Sequence, residues 1–446
     1  MSVVDDLVRD MQLWLPQREA LAALHAILSN SPIGRGISKK KTLSEMMVAE
    51  PGAPYAWQKT FNFPEEMNPQ VGTEFPSFCF AIATGGGKTR LMGACIAYLY
   101  ETKGFRNFFI LSKGQTIYNK HRVEDFDPAS AKYVFKGLPG FPRPRLIDGD
   151  NYERSAYPEL FSDDLTLYLF NIEKIFNERT DVEFRFHRFH EGIGGSFADV
   201  LRGKPDLVFL MDESHNIRAE QSLKAINALK PILGLEFTAT PKKGVSNVVY
   251  TFPLRRATRE GGPNGGGLVK RARIVARRDD DSLTEEREDI KLRDGIAVHE
   301  KKKVALETYC RNDGLALVKP RVLICAPPSK QDQEKKEIER IAEYIQSDGF
   351  LGGAYRGKVL AVHQGSDDEQ IQKLLDLEKK PNDIEIVLHV NKLKEGWDVQ
   401  TVYTIIPLRA AVSEILRIQT IGRGLRLPFG RQVSRDPGLS QAEREE

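Results

Sequence analysis

The sequence predicts an α/β protein that contains two mostly parallel sheets, each flanked by helices. Short apolar runs alternate with amphipathic stretches along most of the 446 residues, which is the pattern of parallel strands joined by crossover helices. The runs are apolar almost throughout, as expected of strands that are covered on both faces. They form two series, and the stretch 261–267 between them consists of Gly, Pro and Asn, which oppose both helix and strand. Two tandem domains are therefore predicted.

The individual strands are predicted from the apolar runs. The first series contains the runs Phe78–Ala83, Phe108–Leu111, Leu165–Phe170, Leu207–Met211 and Leu235–Phe237. The second series contains Val322–Cys325, Val359–Val362, Ile384–His389 and Val402–Ile406. A helix is predicted at 331–346, because Ile338, Ile341 and Ile345 fall on one face.

The domain boundaries follow from composition. We predict a first domain over residues 1–255, with an insertion at about 29–70 that is rich in Pro, Gly and polar residues. A linker with a charged insertion is predicted over 256–310, and its segment 277–293 is expected to be solvated. The second domain is predicted over 311–446.

Charge and cysteine content exclude several classes of protein. The formal net charge is +3, a weak indication of a polyanionic partner, because a single groove can be basic while the total stays near neutral. The four cysteines (Cys79, Cys95, Cys310 and Cys325) form no CxxC pair, so neither a disulfide framework nor a zinc site is predicted. We expect no membrane association and a cytoplasmic location, since no signal-peptide pattern or spanning apolar run is present.

A phosphate-binding loop is predicted after the first strand. Residues 84–89 read Thr-Gly-Gly-Gly-Lys-Thr and lead into a helix at 90–100. Glycines let backbone amides approach phosphate, and the helix N-terminus adds partial positive charge. Lys88 would meet the β- and γ-phosphates and Thr89 would bind Mg²⁺, although Ile82 stands where the strict motif has its first glycine. The alternative is a flexible turn. The predicted nucleotide contacts here are Thr84, Gly85, Gly86, Gly87, Lys88, Thr89 and Arg90.

An acidic pair follows another strand of the same series. The run 207–211 ends in Asp212 and Glu213, and adjacent carboxylates at the end of a buried strand are costly unless they serve a cation or a proton. Asp212 is predicted to hold Mg²⁺ through water, and Glu213 to orient and deprotonate the attacking water. The alternative is a strand-end turn with solvated acids.

Two arginines are predicted to act from the second series. Arg423 and Arg426 lie three residues apart and would share a helix face. Guanidinium groups stabilise the charge of a γ-phosphoryl transition state. If they belong to a different lobe, hydrolysis requires lobe closure. A surface arginine pair is the alternative.

The order of these motifs resembles that of superfamily 2 DEAD/DEAH-type helicases and translocases. This resemblance implies two tandem RecA-like P-loop NTPase domains that use ATP and Mg²⁺, with Gln419 catalytic and with Gly396 and Asp398 as further nucleotide contacts. It also implies strand-contact motifs at 109–113 and 171–175. The matching motifs are Ala83–Thr89, Asp212–His215, Thr238–Thr240, Asn391–Asp398 and Gln419–Arg426.

The motifs at 395–398, 407–409 and 419–428 are similar to those of the Res subunit of type III restriction enzymes and related phage-defence helicases. That similarity implies a DNA motor that works with a methylating Mod subunit and carries a nuclease domain beyond the motor. No nuclease pattern is visible here, so we expect either the motor portion of a longer protein or a relative without the nuclease.

By the same resemblance, Gln17 would read the adenine edge, because an amide can both donate and accept. An exposed helix residue is the alternative for Gln17, and Gln58 is a rival for the adenine contact. The sequence thus predicts a DNA-stimulated ATPase of the helicase or translocase type. An ATP-gated docking subunit and an RNA helicase remain as alternatives.

Overall fold

A computed structural model describes the chain in two compact units, residues 1–257 and 258–446. Within them, the described residues are 2–29, 33, 73–152, 163–175, 185–188, 195–217, 220–242, 244–262, 266–275, 284–312, 314–326, 331–363, 366, 368–378, 381–390, 399–408, 421–422 and 424–427. Among these residues, no helix is both long and apolar enough to cross a membrane.

The first unit is built on a seven-stranded parallel sheet with the strand order β3-β4-β2-β5-β6-β1-β7. The strands are β1 Ser77–Ile82, β2 Asn107–Ser112, β3 Arg145–Asp148, β4 Thr166–Asn171, β5 Leu207–Asp212, β6 Leu233–Thr238 and β7 Val248–Phe252. The helices are α1 Val3–Asp10, α2 Leu15–Leu28, α3 Lys88–Lys103, α4 Gln115–Lys120, α5 Ile172–Ile175, α6 Phe197–Gly203, α7 Glu220–Ala228 and α8 Leu254–Ala257.

The five strands predicted for this unit form the centre of the sheet. Every residue of β1, β2, β4, β5 and β6 is buried, which explains their nearly continuous apolar sequences. The two strands that were not predicted, β3 and β7, lie at the sheet edges. Edge strands are covered less completely, and both contain polar or partly exposed residues, so their apolar signal is weak.

The helix α2 is fixed to the edge of this sheet by a charged cluster. Tyr250 on β7 donates a hydrogen bond of 2.7 Å to the Glu19 carboxylate. Arg256 on α8 donates two more, at 3.0 and 3.1 Å. These contacts hold the N-terminal helices beside β1 and its following loop.

The second unit is built on a four-stranded parallel sheet with the strand order β11-β8-β10-β9. All four predicted strands are present, and the predicted α/β class, with two tandem domains that each contain a parallel sheet flanked by helices, is confirmed. The elements are α9 Thr284–Asn312, β8 Arg321–Cys325, α10 Gln331–Gln346, β9 Val359–Val362, α11 Asp368–Leu375, β10 Ile386–His389 and β11 Val402–Pro407.

The helix α9 differs from the expected solvated linker. Leu292 and Ile296 are fully buried in the same core as Ile406 on β11. A Cβ atom at Gly295 would lie 2.4 Å from Ile406 Cδ1, so the helix backbone packs directly on the strand. The many charged residues of the segment make this narrow apolar stripe hard to recognise in the sequence. The described part of 258–312 belongs to the second unit.

A buried charge cluster joins α9 to the sheet edge. The Glu385 side chain, just before β10, accepts a hydrogen bond of 2.9 Å from Lys303 Nζ, and Lys358 Nζ lies 3.4 Å away. His299 Nε2 lies 3.9 Å from the same carboxylate. The neighbouring His299 and the two ammonium groups hold the pKa of Glu385 well below its ordinary value, although burial opposes this shift.

Candidate nucleotide-binding site

The glycine loop between β1 and α3 has a conformation that needs glycine. Gly85 and Gly87 have φ angles of +83° and +80°, in the left-handed region that side chains disfavour. The Gly86 amide donates a hydrogen bond of 2.9 Å to Ala83 O. A Cβ atom at Gly86 would lie 2.5 Å from Ile82 Cγ2. The loop therefore turns tightly over the end of β1 and leads into the N-terminus of α3.

Gln17 supports this loop from α2. Its Nε2 donates a hydrogen bond of 2.6 Å to Gly86 O, and its Oε1 accepts one of 2.8 Å from the Trp14 amide. The side chain is buried. The burial contradicts the alternative of an exposed helix residue. Both polar atoms are bonded to backbone groups, whereas the predicted adenine contact needs an amide that is open to the base.

Arg90, which the sequence predicts as a nucleotide contact, donates hydrogen bonds to four backbone carbonyls. Its Nη2 donates to Met11 O at 2.6 Å and to Lys136 O at 3.0 Å. Its Nη1 donates to Val134 O at 2.7 Å and to Tyr133 O at 3.3 Å. The guanidinium thus ties α3 to the end of α1 and to the loop around residue 134.

The acidic pair lies beside the loop. Lys88 Nζ, at the start of α3, is 2.9 Å from Glu213 Oε1, just after β5. Glu213 has φ 48° and ψ 51°, a left-handed conformation that costs energy for a residue other than glycine and that recurs at active sites. The two motifs that the sequence separates by more than a hundred residues therefore meet at the carboxyl edge of the sheet.

Asp212 is held by a histidine that sequence reasoning missed. His121 Nε2 lies 3.2 Å from Asp212 Oδ2, and His121 Nδ1 lies 2.8 Å from Asp125 Oδ2. Burial lowers the pKa of His121, but its hydrogen bonds to the two carboxylates outweigh this effect and the net shift is upward. Burial raises the pKa of Asp212, yet His121, with help from Lys88, turns the net shift downward. Asp212 is therefore kept as a carboxylate.

A second contact joins the acidic motif to the predicted motif at 238–240. His215 Nδ1 lies 3.0 Å from Thr238 Oγ1 and 3.5 Å from Glu213 Oε2. The Thr240 amide donates a hydrogen bond of 3.0 Å to Thr238 Oγ1. This short chain runs from the candidate base to the end of β6.

Of the three catalytic residues predicted in the second unit, Gln419, Arg423 and Arg426, only Arg426 lies within the described residues. Arg426 forms an antiparallel bridge with Val269, and the Lys270 amide donates a hydrogen bond of 2.6 Å to Leu425 O. The ammonium of Lys270 donates to Gln400 O at 2.7 Å and Val402 O at 2.9 Å. The segment that follows the glycine-rich stretch thus braces residues 425–426 against β11.

Four predicted site residues lie outside the described residues: Gly396, Asp398, Gln419 and Arg423.

The first unit's site fits a magnesium–nucleotide complex. Its glycines form a cradle that a Cβ atom would fill, and successive amides in such a loop bind phosphate. Lys88 and the Thr89 hydroxyl at the start of α3 are a phosphate-binding cation and an Mg²⁺ ligand by residue type. Asp212 and Glu213 add a buried carboxylate and a carboxylate at the edge. This donor set suits a hard cation with oxygen ligands.

Comparisons with known proteins agree with this combination of features. A family model described as "Type III restriction enzyme, res subunit" matches residues 12–243, which is more than half of the chain. The probable type III restriction-modification enzyme HindVIP Res subunit of Haemophilus influenzae is 28% identical over 157 residues. That alignment covers 34% of this chain and 27% of the relative, so the match spans about a quarter of the relative's length.

Solved structures are also similar to the chain. S. cerevisiae Dbp5 bound to RNA and ADP BeF3 shows 12% identity and a TM-score of 0.41, over 93% of this chain and 85% of Dbp5. Mss116p bound to ssRNA and AMP-PNP shows 14% identity and a TM-score of 0.44, over 95% of this chain and 72% of Mss116p. By the family model that spans its first unit, the chain belongs to the family of type III restriction enzyme Res subunits.

Proposed function

We propose that this chain is an ATP-dependent DNA motor, a helicase or translocase that acts in a type III restriction-like or other anti-phage system. The observation that carries the proposal is the contact between Lys88 and Glu213 at 2.9 Å, beside the buried Asp212 and the glycine loop. A phosphate-binding lysine, a metal-binding acid and a candidate base are thereby brought to one edge of one sheet. This is the arrangement that phosphoryl transfer to water requires.

Each residue of the site has a proposed role in ATP hydrolysis. Lys88 and the loop amides would bind the β- and γ-phosphates, and Thr89 and Asp212 would hold Mg²⁺, Asp212 through water. The metal, when bound, neutralises phosphate charge. Glu213 orients the attacking water and accepts its proton. Arg423 and Arg426 keep the charge-stabilising role predicted from their guanidinium groups, and Gln419 keeps the catalytic role that the helicase resemblance implies.

The proposed polymer is DNA, duplex or single-stranded, because the Res relatives belong to restriction systems. The candidate contact with the DNA backbone is Lys113, which is exposed and directly follows β2. A lysine there would bind phosphate without reading sequence. We propose a Mod-like methyltransferase or a nuclease subunit as the partner that completes the activity. A cytoplasmic location is part of the same proposal.

Two alternatives make different predictions. An ATP-gated docking subunit would bind a partner protein, and its ATP turnover would not respond to nucleic acid. An RNA helicase would use the same nucleotide site and would be stimulated by RNA in preference to DNA.

The experiment measures ATP hydrolysis alone and with duplex DNA, single-stranded DNA or RNA. We expect DNA to give the largest stimulation, and Lys88→Ala or Glu213→Gln to reduce turnover by roughly 10²–10⁴-fold. Glu339→Gln, an exposed glutamate on α10, is the matched control and should match the unmodified chain. Stimulation by none of the polymers would favour the docking subunit, and full turnover by Glu213→Gln would remove its role as base.

A further inference from the structure

We propose that His121 is a positioning residue that holds the Asp212 carboxylate in the orientation required for Mg²⁺, with Asp125 as its anchor. This inference rests on the proposed function, because it assumes that Asp212 serves the metal of the nucleotide site. It goes beyond that function by assigning a role to a helical turn that no sequence motif marked.

The first support is the geometry around His121. The imidazole is 1% exposed, and each ring nitrogen faces a carboxylate oxygen, Asp212 Oδ2 at 3.2 Å and Asp125 Oδ2 at 2.8 Å. Lys120 Nζ lies 3.2 Å from the same oxygen of Asp125. A histidine that only fills space in the core would need neither carboxylate. Here a series of polar contacts runs from Lys120 through Asp125 and His121 to Asp212 at the end of β5.

The second support is that both oxygens of Asp212 are engaged. Oδ2 faces His121, and Oδ1 accepts a hydrogen bond of 3.1 Å from the Glu213 amide. A carboxylate held from two sides keeps one rotamer, so it does not have to be ordered when a cation binds. Hydrogen-bonding partners of metal ligands typically change metal affinity by 10–100-fold when they are removed.

The third support is the turn itself. His121 and Asp125 lie in a π-helical turn, His121–Asp125, that continues α4, and the Phe126 amide donates to His121 O at 2.9 Å. Such turns are rare and frequently occur at functional sites. The wider turn places a histidine and an aspartate within hydrogen-bonding distance and aims the histidine at β5.

The test uses the full chain and separates metal binding from nucleotide binding. Affinity for a fluorescent ADP analogue is measured in EDTA and in a Mg²⁺ titration, for His121→Ala, His121→Gln and Asp125→Asn. We expect the Mg²⁺ concentration at half-saturation to rise about 10–100-fold in His121→Ala and less in Asp125→Asn, while affinity in EDTA changes less than about twofold, within the spread of independent sites. His121→Gln, whose amide can still donate to Asp212, should recover part of the loss.

Controls keep the outcome interpretable. His25→Gln, a histidine on α2 that is hydrogen-bonded to Tyr98, should leave the Mg²⁺ requirement unchanged. Circular dichroism and melting temperature establish whether each variant folds, and Asp125→Asn decides the question if His121→Ala does not fold. An unchanged Mg²⁺ requirement in a folded variant overturns the inference. Absence of ATP hydrolysis by the unmodified chain would instead contradict the proposed function. The two failures can be distinguished because the binding titration does not depend on turnover.

Discussion

The amide of Gln17 and the backbone of the glycine loop are in direct contact. Nε2 donates a hydrogen bond of 2.6 Å to Gly86 O, and a Cβ atom at Gly87 would lie 2.2 Å from the same nitrogen. The loop therefore packs directly against the Gln17 side chain. Gly87, which has no Cβ atom, leaves the space that the Gln17 amide occupies. This places a residue of α2 in a position to set the shape of the phosphate loop.

We expect Gln17→Ala to raise the KM for every nucleoside triphosphate by about fivefold, since one hydrogen bond to a buried carbonyl is worth about 1 kcal/mol. Steady-state hydrolysis of ATP and GTP measures this. If Gln17 supports the loop, the variant loses the same factor with both nucleotides. A loss confined to ATP would show that the amide reads adenine. Gln372→Ala, an exposed glutamine on α11, serves as the control.

Arg90→Met should lower the free energy of unfolding by about 2–4 kcal/mol, because four carbonyls lose charged donors. Urea unfolding of the full chain, followed by circular dichroism, measures the change. Arg202→Met, on the partly exposed α6 surface, is the matched control and should cost less than about 1 kcal/mol. An unchanged unfolding curve for Arg90→Met, together with lost nucleotide affinity, would support the predicted nucleotide contact instead.

The fold could be read from the sequence wherever strands are buried on both faces. The edge strand β3 was missed because its sequence, Arg145–Asp148, is half polar. The charged composition of the predicted linker indicates solvation, because the buried stripe of α9 at Leu292 and Ile296 lies among charged residues. In both cases the burial depends on a neighbour distant along the chain, and local composition does not contain that information.

The same reasoning explains what was predictable in the site. Lys88 and Glu213, which the structure brings into contact, stand out in the sequence because each lies in a contiguous motif whose chemistry is local. His121 was missed because its contact with Asp212 spans 91 residues and no spacing rule marks it. The bonding of Gln17 to Gly86 spans 69 residues, so the sequence indicated a role near the nucleotide but not the partner.

Lys270→Met should lower the turnover number for ATP while leaving nucleotide affinity unchanged. Its ammonium donates hydrogen bonds to Gln400 O, just before β11, and to Val402 O within the strand. Its backbone amide donates to the carbonyl of Leu425, the residue before Arg426. A small displacement of a catalytic group can cost up to about 10²-fold in rate, so we expect at least a tenfold loss. Lys301→Met, exposed on α9, is the control. Unchanged turnover in a folded Lys270→Met chain would argue against a catalytic role for the braced segment.

The buried carboxylate of Glu385 should make the second unit sensitive to acid. Its folded pKa lies below the ordinary glutamate value of 4.5, with His299, Lys303 and Lys358 as the causes. A lowered acid pKa contributes stability above the unfolded value, and that contribution is lost as pH falls through the folded value. Glu385→Gln should therefore cost about 1–3 kcal/mol of unfolding free energy at pH 7.

The difference between Glu385→Gln and the unmodified chain should shrink as the pH falls from 4.5 towards the lower folded pKa of Glu385, because the unfolded chain binds the proton before the folded carboxylate does. Urea unfolding of both chains at pH 7 and at several values below 4.5 tests this. Glu339→Gln, an exposed glutamate on α10, should show almost no difference at any pH, since exposed charges contribute little. A difference that stays constant down to the lowest pH would mean that Glu385 stabilises the unit through packing and not through its charge.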